Sequence, residues 1–203
     1  DLLLAKGYVL KDLKRPMQAK LVFEEVVDMK LLESQSVKAK ALFEIAEIHF
    51  HLDDPDAALT YNLKASQIYK SAGDLVELAN VKIQKAGFIK SKGIYLEALK
   101  LYDEAIQLFW DEELHDAHAN TQFLKGILEF QFENFDEAEL LISSALHFFK
   151  KSVSMLAPLE ILRLVAIIPK PLKVNPLSNS KYLKWRVNLI LKRLKNFKYI
   201  SKE

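Results

Sequence analysis

Small and apolar residues recur along the first three quarters of the chain with a regular period. Four aligned segments begin at Pro16, Pro55, Tyr95 and Phe135. The first alanine of each segment falls 39 or 40 residues after the previous one, at Ala19, Ala58, Ala98 and Ala138. Twelve residues before each alanine stands another small residue: Gly7, Ala46, Ala86 and Gly126. Because a third series, at Ala39, Ala79 and Ala119, keeps the same period, the chain contains an internal repeat.

Each unit of the repeat predicts a pair of antiparallel helices. Its apolar residues follow helical spacing, and its small residues allow the two backbones to approach closely. Pro55 suits the first turn of a helix that Asp54 caps, whereas Pro16 begins a helix without an acidic cap. Gly73 predicts the end of a helix, Asp74 starts the next, and we expect helices of about 14 to 17 residues. Because one hairpin cannot bury its own apolar stripe, neighbouring units must stack.

A series of small, small, aromatic and small residues characterises the units. The four sets are Gly7, Ala19, Phe23, Val26; Ala46, Ala58, Asn62, Ala65; Ala86, Ala98, Tyr102, Ala105; and Gly126, Ala138, Ile142, Ala145. This series resembles the tetratricopeptide-repeat family, although Asn62 and Ile142 replace the usual aromatic residue and Val26 the usual alanine. Over residues 1–151 the resemblance implies an all-α fold, a right-handed α-solenoid of about four repeats followed by C-terminal helices. The period of about 40 residues, against the common 34, resembles the long-helix subclass of kinesin light chains and bacterial peptide-pheromone receptors.

The resemblance also implies a binding surface, because in this family the first helix of each unit lines a concave groove that binds a peptide. By position the groove candidates are Lys40, Phe43, Glu47, Phe50, Asn80, Ile83, Lys90, Asn120, Phe123 and Ile127. Two interpretations of Asn80 and Asn120 stay open: their amides form a ladder that grips a peptide backbone, or they satisfy neighbouring carbonyls. The phenylalanines either face the ligand or lie in the core, as apolar residues at helical spacing more often do.

One known type of groove is not present. Family members that bind acidic carboxyl-terminal peptides carry a clamp of Lys, Asn, Asn, Lys and Arg side chains. The corresponding positions here are Leu4, Tyr8, Glu44, Asn80 and Gln84. The resemblance therefore argues against a receptor for the acidic tails of chaperones.

Composition and motifs exclude several kinds of chemistry. The 203 residues include five scattered glycines and no cysteine, so there is no disulfide, no thiolate metal site and no glycine-rich nucleotide loop. Glu112 and His115 have the spacing of one half of a di-iron site, but no second Glu-x-x-His exists. No nucleophile elbow, paired catalytic motif or zincin helix is found. We therefore predict a protein that is not an enzyme and that binds no metal or cofactor.

The charge of the chain is unevenly distributed. The formal net charge is +2, yet residues 170–203 carry ten basic residues and one acidic residue. Residues 1–169 carry the other 19 basic and 26 acidic residues, a net charge of −7. No stretch is typical of a signal peptide or a transmembrane helix. Since targeting signals and cysteines are both lacking, we expect a cytoplasmic or otherwise intracellular location.

The repeat becomes irregular after residue 151. Residues 152–168 predict a degenerate fifth-repeat helix, residues 169–180 a proline-rich connection, and residues 181–203 a basic amphipathic helix. The basic candidates in that last helix are Lys184, Arg186, Lys192, Arg193 and Lys195. Two interpretations stay open: the helix caps the end of the array, or it docks on nucleic acid or anionic membrane.

These observations predict a non-catalytic scaffold for protein–protein interaction. It binds a peptide or protein segment in its concave groove, as part of a larger complex or a longer chain. One alternative is a peptide-responsive regulator of the pheromone-receptor type, in which a short peptide tightens the superhelix. A weaker alternative is an adaptor that contacts nucleic acid or anionic membrane through the basic C-terminal helix.

Overall fold

A computed structural model of the chain describes residues 2–29 and 34–152. Within these ranges all regular structure is α-helical, without a strand, as predicted. The helices are α1 (Leu2–Asp12), α2 (Pro16–Asp28), α3 (Gln35–His51), α4 (Pro55–Ala72), α5 (Leu75–Ser91), α6 (Tyr95–Asp111), α7 (His115–Gln131) and α8 (Phe135–Ser152). The chain forms two compact units, Asp1–Thr121 and Gln122–Glu203, with their boundary inside α7. Apart from Ser152, the predicted fifth-repeat helix, proline-rich connection and basic helix lie outside the described residues.

The helices begin at the period that the sequence predicts. The second helices of the four units start at Pro16, Pro55, Tyr95 and Phe135, where the aligned segments begin. The first helices α3, α5 and α7 start exactly one repeat apart, at Gln35, Leu75 and His115. The lengths of the described helices vary more widely than expected: α1 has 11 residues, whereas α4 and α8 have 18 each.

The predicted helix ends are confirmed in the region around α4. The Asp54 carboxylate accepts a hydrogen bond of 3.1 Å from the backbone N–H of Ala57, which caps the helix that Pro55 starts. Gly73 ends α4 in the left-handed conformation, at φ 69°. The next residue, Asp74, then caps α5 through a 3.1 Å bond from the N–H of Glu77. Gly73 therefore ends α4 and places Asp74, the cap of α5, directly after it.

The left-handed turn that Gly73 makes also follows the first helices α1, α3, α5 and α7, in three of the four cases without a glycine. Each first helix is followed by a residue with positive φ: Lys14, Asp53, Gly93 and Glu133. In each case the next residue donates its backbone N–H to the carbonyl five residues earlier, at distances of 2.9 to 3.1 Å. This bond satisfies one of the carbonyls that a helix end leaves unpaired. Three of the four turns accept the cost of a non-glycine residue in this conformation, which is why the sequence alone did not reveal them.

The small residues of the repeat lie at close helix contacts. A Cβ atom at Gly7 would lie only 2.3 Å from the ring of Phe23, so α1 and α2 pack without space for a side chain. In the fourth repeat, a Cβ atom at Gly126 would lie 2.7 Å from Ile142 Cγ1. Ala46 and Ala58 are fully buried together with Phe88. The small residues of the repeat therefore mark the positions at which neighbouring helices pack closely in the core.

Gly87 offers a stabilising substitution. It lies inside α5, and a Cβ atom there would meet no atom within 4 Å. Gly87→Ala is expected to stabilise the chain by about 0.5–1 kcal/mol, because alanine restricts the unfolded backbone and favours the helix. Urea unfolding measures the change. Gly93→Ala is the control: its φ of +80° is strained for alanine, so that variant should be less stable than the parent chain.

Candidate functional site

The first helices α1 and α3 are joined by an ionic cluster on their shared face. The ammonium group of Lys11 in α1 donates hydrogen bonds to Glu44 and to Oε2 of Glu47, the second at 2.8 Å. Glu44 is only 8% exposed, whereas its neighbour Glu47 and the aromatic ring of Tyr8 both reach solvent. The cluster therefore extends from a buried carboxylate to the protein surface.

Burial and charge pairing act against each other in this cluster. Burial disfavours the charged form of Lys11, but its hydrogen bonds to Glu44 and Glu47 prevail and leave the pKa of the lysine raised. Burial is the main reason why the pKa of Glu44 is raised, although Lys11 acts in the opposite direction. Burial, followed by the charge of Glu44, raises the pKa of Tyr8 as well. The lysine thus stays protonated at neutral pH and holds two carboxylates of the next repeat.

A similar but more open arrangement joins α3 to α5. Lys40 Nζ lies 3.9 Å from Oε1 of Glu77, and the Asn80 amide donates a 3.1 Å hydrogen bond to Oε2 of the same carboxylate. Two lysines, each one repeat before its acidic partner, therefore connect three successive first helices. We call the surface formed by Tyr8, Lys11, Lys40, Glu44, Glu47, Glu77 and Asn80 the first-helix face.

The predicted groove residues differ in their exposure. The half-buried ones are Lys40, Phe43, Glu47, Phe50, Asn80, Ile83, Lys90 and Ile127. Asn120 is exposed and Phe123 is buried. The exposure of the predicted asparagine ladder and of the phenylalanines therefore differs from one repeat to the next. Phe50 stacks on Phe88 with 4.7 Å between ring centroids, and burial lowers the pKa of Lys90. The predicted basic candidates Lys184, Arg186, Lys192, Arg193 and Lys195 lie outside the described residues.

A buried polar relay beneath the first-helix face was not predicted. The Asn62 amide in α4 donates to the carbonyl of Val81 at 3.0 Å and to Oε1 of Gln84 at 2.9 Å. Gln84 Nε2 in turn donates to the carbonyl of Phe43 at 3.0 Å. The relay connects α4, α5 and α3, and it engages Gln84, which occupies a clamp position. The signal was present in the sequence, since an asparagine at a core position needs hydrogen-bond partners.

Among residues 2–29 and 34–152, no group of three or more His, Cys, Asp and Glu side chains is placed to hold a metal ion. Glu112 and His115, the incomplete metal motif, are both exposed. None of the helices in the same ranges is long and apolar enough to cross a membrane.

Comparisons with known proteins establish the fold and a family. A family model described as soluble NSF attachment protein, SNAP, matches residues 7–141. No curated protein sequence matches the chain. Among solved structures, apo RapI is similar with a TM-score of 0.76 and 16% identity over 97% of this chain and 68% of that one.

Two further solved structures extend the comparison. BtubC (BKLC) from P. vanneervenii has a TM-score of 0.74 and 14% identity, over 96% of this chain and 78% of its own. The Q17M variant of a putative kinesin light chain from Podosopora anserina, with nearly identical TPR-like repeats, has a TM-score of 0.70 and 12% identity, over 98% and 95%. Likeness at this level of identity shows the fold, and the predicted α-solenoid of tetratricopeptide-like repeats is confirmed.

Proposed function

Because the chain belongs to the soluble NSF attachment protein family, we propose that it is a non-catalytic scaffold that holds a protein or peptide segment against its first-helix face. From the family name we transfer only the general role, the attachment of one protein to another. The observation that carries the proposal is the continuous row of paired charges on α1, α3 and α5. Proteins of the tetratricopeptide-like fold serve many pathways, so it is this surface and not the fold that supports the proposal.

The first-helix face is suited to recognition because its groups are accessible and already oriented. The side chains of Lys40 and Glu47 are 43% and 38% exposed, and ion pairs hold both of them. Side chains that are ordered before binding lose less conformational entropy when a partner arrives. Paired charges at the surface select a partner more than they add raw affinity. Half-buried aromatic rings, Phe43 and Phe50, add apolar contact area beside them.

Several finer features belong to the same proposal. We place the partner in the predicted groove, with Asn80 and Asn120 as contact residues, and place the protein in a larger intracellular assembly. The period of 39 to 40 residues in the helix starts supports the long-helix subclass. Peptide-responsive regulation, and the binding of nucleic acid or anionic membrane through residues 181–203, stay predictions from the sequence.

Charge removal on the first-helix face tests the proposal. Proteins that co-purify with the tagged full chain are first identified by mass spectrometry, and the affinity of a purified one is then measured by calorimetry. For the double variant Lys40→Ala/Glu47→Ala we expect binding at least about tenfold weaker, which corresponds to about 1.4 kcal/mol. Circular dichroism and thermal unfolding show whether the variant is folded.

A matched double variant controls for the loss of charge. Lys100 and Glu25 are exposed residues of the second helices α6 and α2, so Lys100→Ala/Glu25→Ala removes the same two charges elsewhere. This control should bind the partner as the parent chain does. Equal affinities of all three proteins would show that the partner does not use the first-helix face, and the proposal would be wrong.

A further inference from the structure

The end of α6 leaves a large aromatic side chain in solvent. Trp110, the last residue but one of the helix, is 57% exposed. Its ring lies 5.8 Å from that of His115 and 5.3 Å from that of His118, both at a tilt. The two histidine rings lie against the indole, and more than half of the tryptophan stays accessible to solvent. An exposed tryptophan is unusual, because tryptophan is among the most buried residues on average and among the most frequent at binding hot spots.

The residues around this tryptophan are acidic. Asp111, Glu112, Glu113 and Asp116 are all exposed and follow within six residues of Trp110. The last turn of α6 contains no basic residue, so the negative end of the helix dipole adds to these charges. In the part of the chain that the structure describes, none of the four carboxylates forms an ion pair with a lysine or arginine. We call Trp110, Asp111, Glu112, Glu113 and Asp116 the α6–α7 corner.

The corresponding corner of the preceding repeat contains the residues that are usually preferred at the C-terminal end of a helix. One repeat earlier, α4 has Lys70 in its last turn at the position of Trp110, where a cation stabilises the helix end. Gly73 takes the left-handed turn there, at φ 69°, whereas Glu113 takes it here at φ 57°. Glu113 shares this conformation with Lys14, Asp53 and Glu133, so what distinguishes the α6–α7 corner is an exposed tryptophan where the preceding repeat has a helix-stabilising lysine. Such local departures from folding rules concentrate at functional sites.

We propose that the α6–α7 corner docks a basic segment of a partner protein, with an arginine or lysine side chain over the exposed face of Trp110. An indole face attracts a cation through its quadrupole, and the surrounding carboxylates add charge complementarity. Burial, and then the charge of the neighbouring His115, lower the pKa of His118, which favours the neutral form of the imidazole beside the indole. The site is separate from the first-helix face and does not depend on the function proposed for it.

A peptide that alternates glycine and arginine is the probe, and the matched peptide of glycine and glutamate is its control. The chain has two tryptophans, so the full-length variant Trp185→Phe makes Trp110 the only indole reporter. Addition of the arginine peptide should change the Trp110 emission in a saturable manner, and rising salt should weaken the binding. The glutamate peptide should leave the emission unchanged. An unchanged emission with both peptides would overturn the proposal.

Two variants at the corner then separate the aromatic and the ionic contributions. Fluorescence anisotropy of a labelled arginine peptide reports binding without the indole. Trp110→Leu keeps an apolar side chain but removes the ring, and we expect binding at least about fivefold weaker. A similar loss is expected for Glu112→Gln/Glu113→Gln. If either variant binds as the parent chain does while its circular dichroism is unchanged, the inference is wrong.

Two controls exclude general effects of charge and of apolar surface. Glu24→Gln/Glu25→Gln removes an adjacent pair of glutamates from the last part of α2, and it should bind the peptide normally. Leu96→Ala removes an apolar side chain that is 83% exposed at the other end of α6, and it should also have no effect. An equal loss in the Glu24/Glu25 variant would overturn the proposal, since the peptide would then sense only the total charge. Self-association that Trp110→Leu abolishes would overturn it as well, because a second copy would cover the corner.

Discussion

Gly7→Ala is expected to destabilise the chain by about 1–3 kcal/mol, as overpacking of a tight core contact does. The added Cβ atom would lie 2.3 Å from one atom of the Phe23 ring and 2.6 Å from another. Phe23 is fully buried in a cluster formed by residues of α1, α2 and α3, and its ring packs edge-on against that of Tyr8 with 5.7 Å between centroids, so it has little room to move aside. Urea unfolding, followed by circular dichroism, measures the change in the free energy of unfolding.

A compensating substitution tests the stated cause. Phe23→Leu removes part of the ring and should itself cost stability through a small cavity. In the double variant Gly7→Ala/Phe23→Leu, the new methyl group fills part of that cavity, so the total loss should be smaller than the sum of the single losses. Gly87→Ala, which adds the same methyl group where no atom lies within 4 Å, is the matched control. Strict additivity of the two losses would show that the Gly7 contact is not the cause.

Asn62→Leu is expected to destabilise the chain by about 1–3 kcal/mol, because it removes two hydrogen bonds of a buried amide and leaves the half-buried Gln84 without its donor. Asn62 is 2% exposed, and its amide makes the two bonds to the Val81 carbonyl and to Gln84 Oε1. Without that amide, the Oε1 atom of the half-buried Gln84 loses the hydrogen bond that Asn62 donates. Thermal and urea unfolding of the full chain measure the loss.

The partner substitution Gln84→Met completes a double-mutant cycle. The single variant should also lose stability, since Asn62 then lacks one acceptor. The double variant Asn62→Leu/Gln84→Met replaces both polar groups with apolar ones, and its loss should be clearly smaller than the sum of the single losses. The carbonyls of Phe43 and Val81 lie within α3 and α5, so helix bonding still serves them. Additive losses in the cycle would mean that the two side chains act independently.

Much of the fold could be predicted because its signals are local. Small residues at a constant period mark the helix contacts, and Ala19, Ala58, Ala98 and Ala138 are indeed fully buried. Prolines and capping carboxylates mark helix starts within one turn of themselves, as Asp54 and Pro55 do. Lys14 and Glu133 adopt the same left-handed conformation, but a lysine or a glutamate in the sequence does not indicate it. Helix ends were therefore predicted best where a glycine ends the helix or an aspartate caps its start.

The candidate site was harder to predict, because its contacts join residues far apart along the chain. Lys11 meets Glu44 across 33 residues, and Gln84 meets the carbonyl of Phe43 across 41. The Asn80 amide donates a hydrogen bond to the Glu77 side chain one turn earlier in its own helix, a contact that the period of the repeat did not predict. Each of these pairings depends on helix orientation and on side-chain rotamers, which spacing alone does not specify.

The helical class, the period of the repeat and the small residues at its helix contacts could all be read from the amino-acid sequence. These follow from backbone propensity and from apolar spacing, which act over one or two turns of helix. The tertiary structure decided that Lys11 holds two carboxylates of the next repeat, that Asn62 has partners in the core, and that Trp110 stands in solvent among acidic residues. Such features arise only when separate helices are brought within a few ångströms of one another, because charge pairing, desolvation and exposure depend on distance in space and not along the chain.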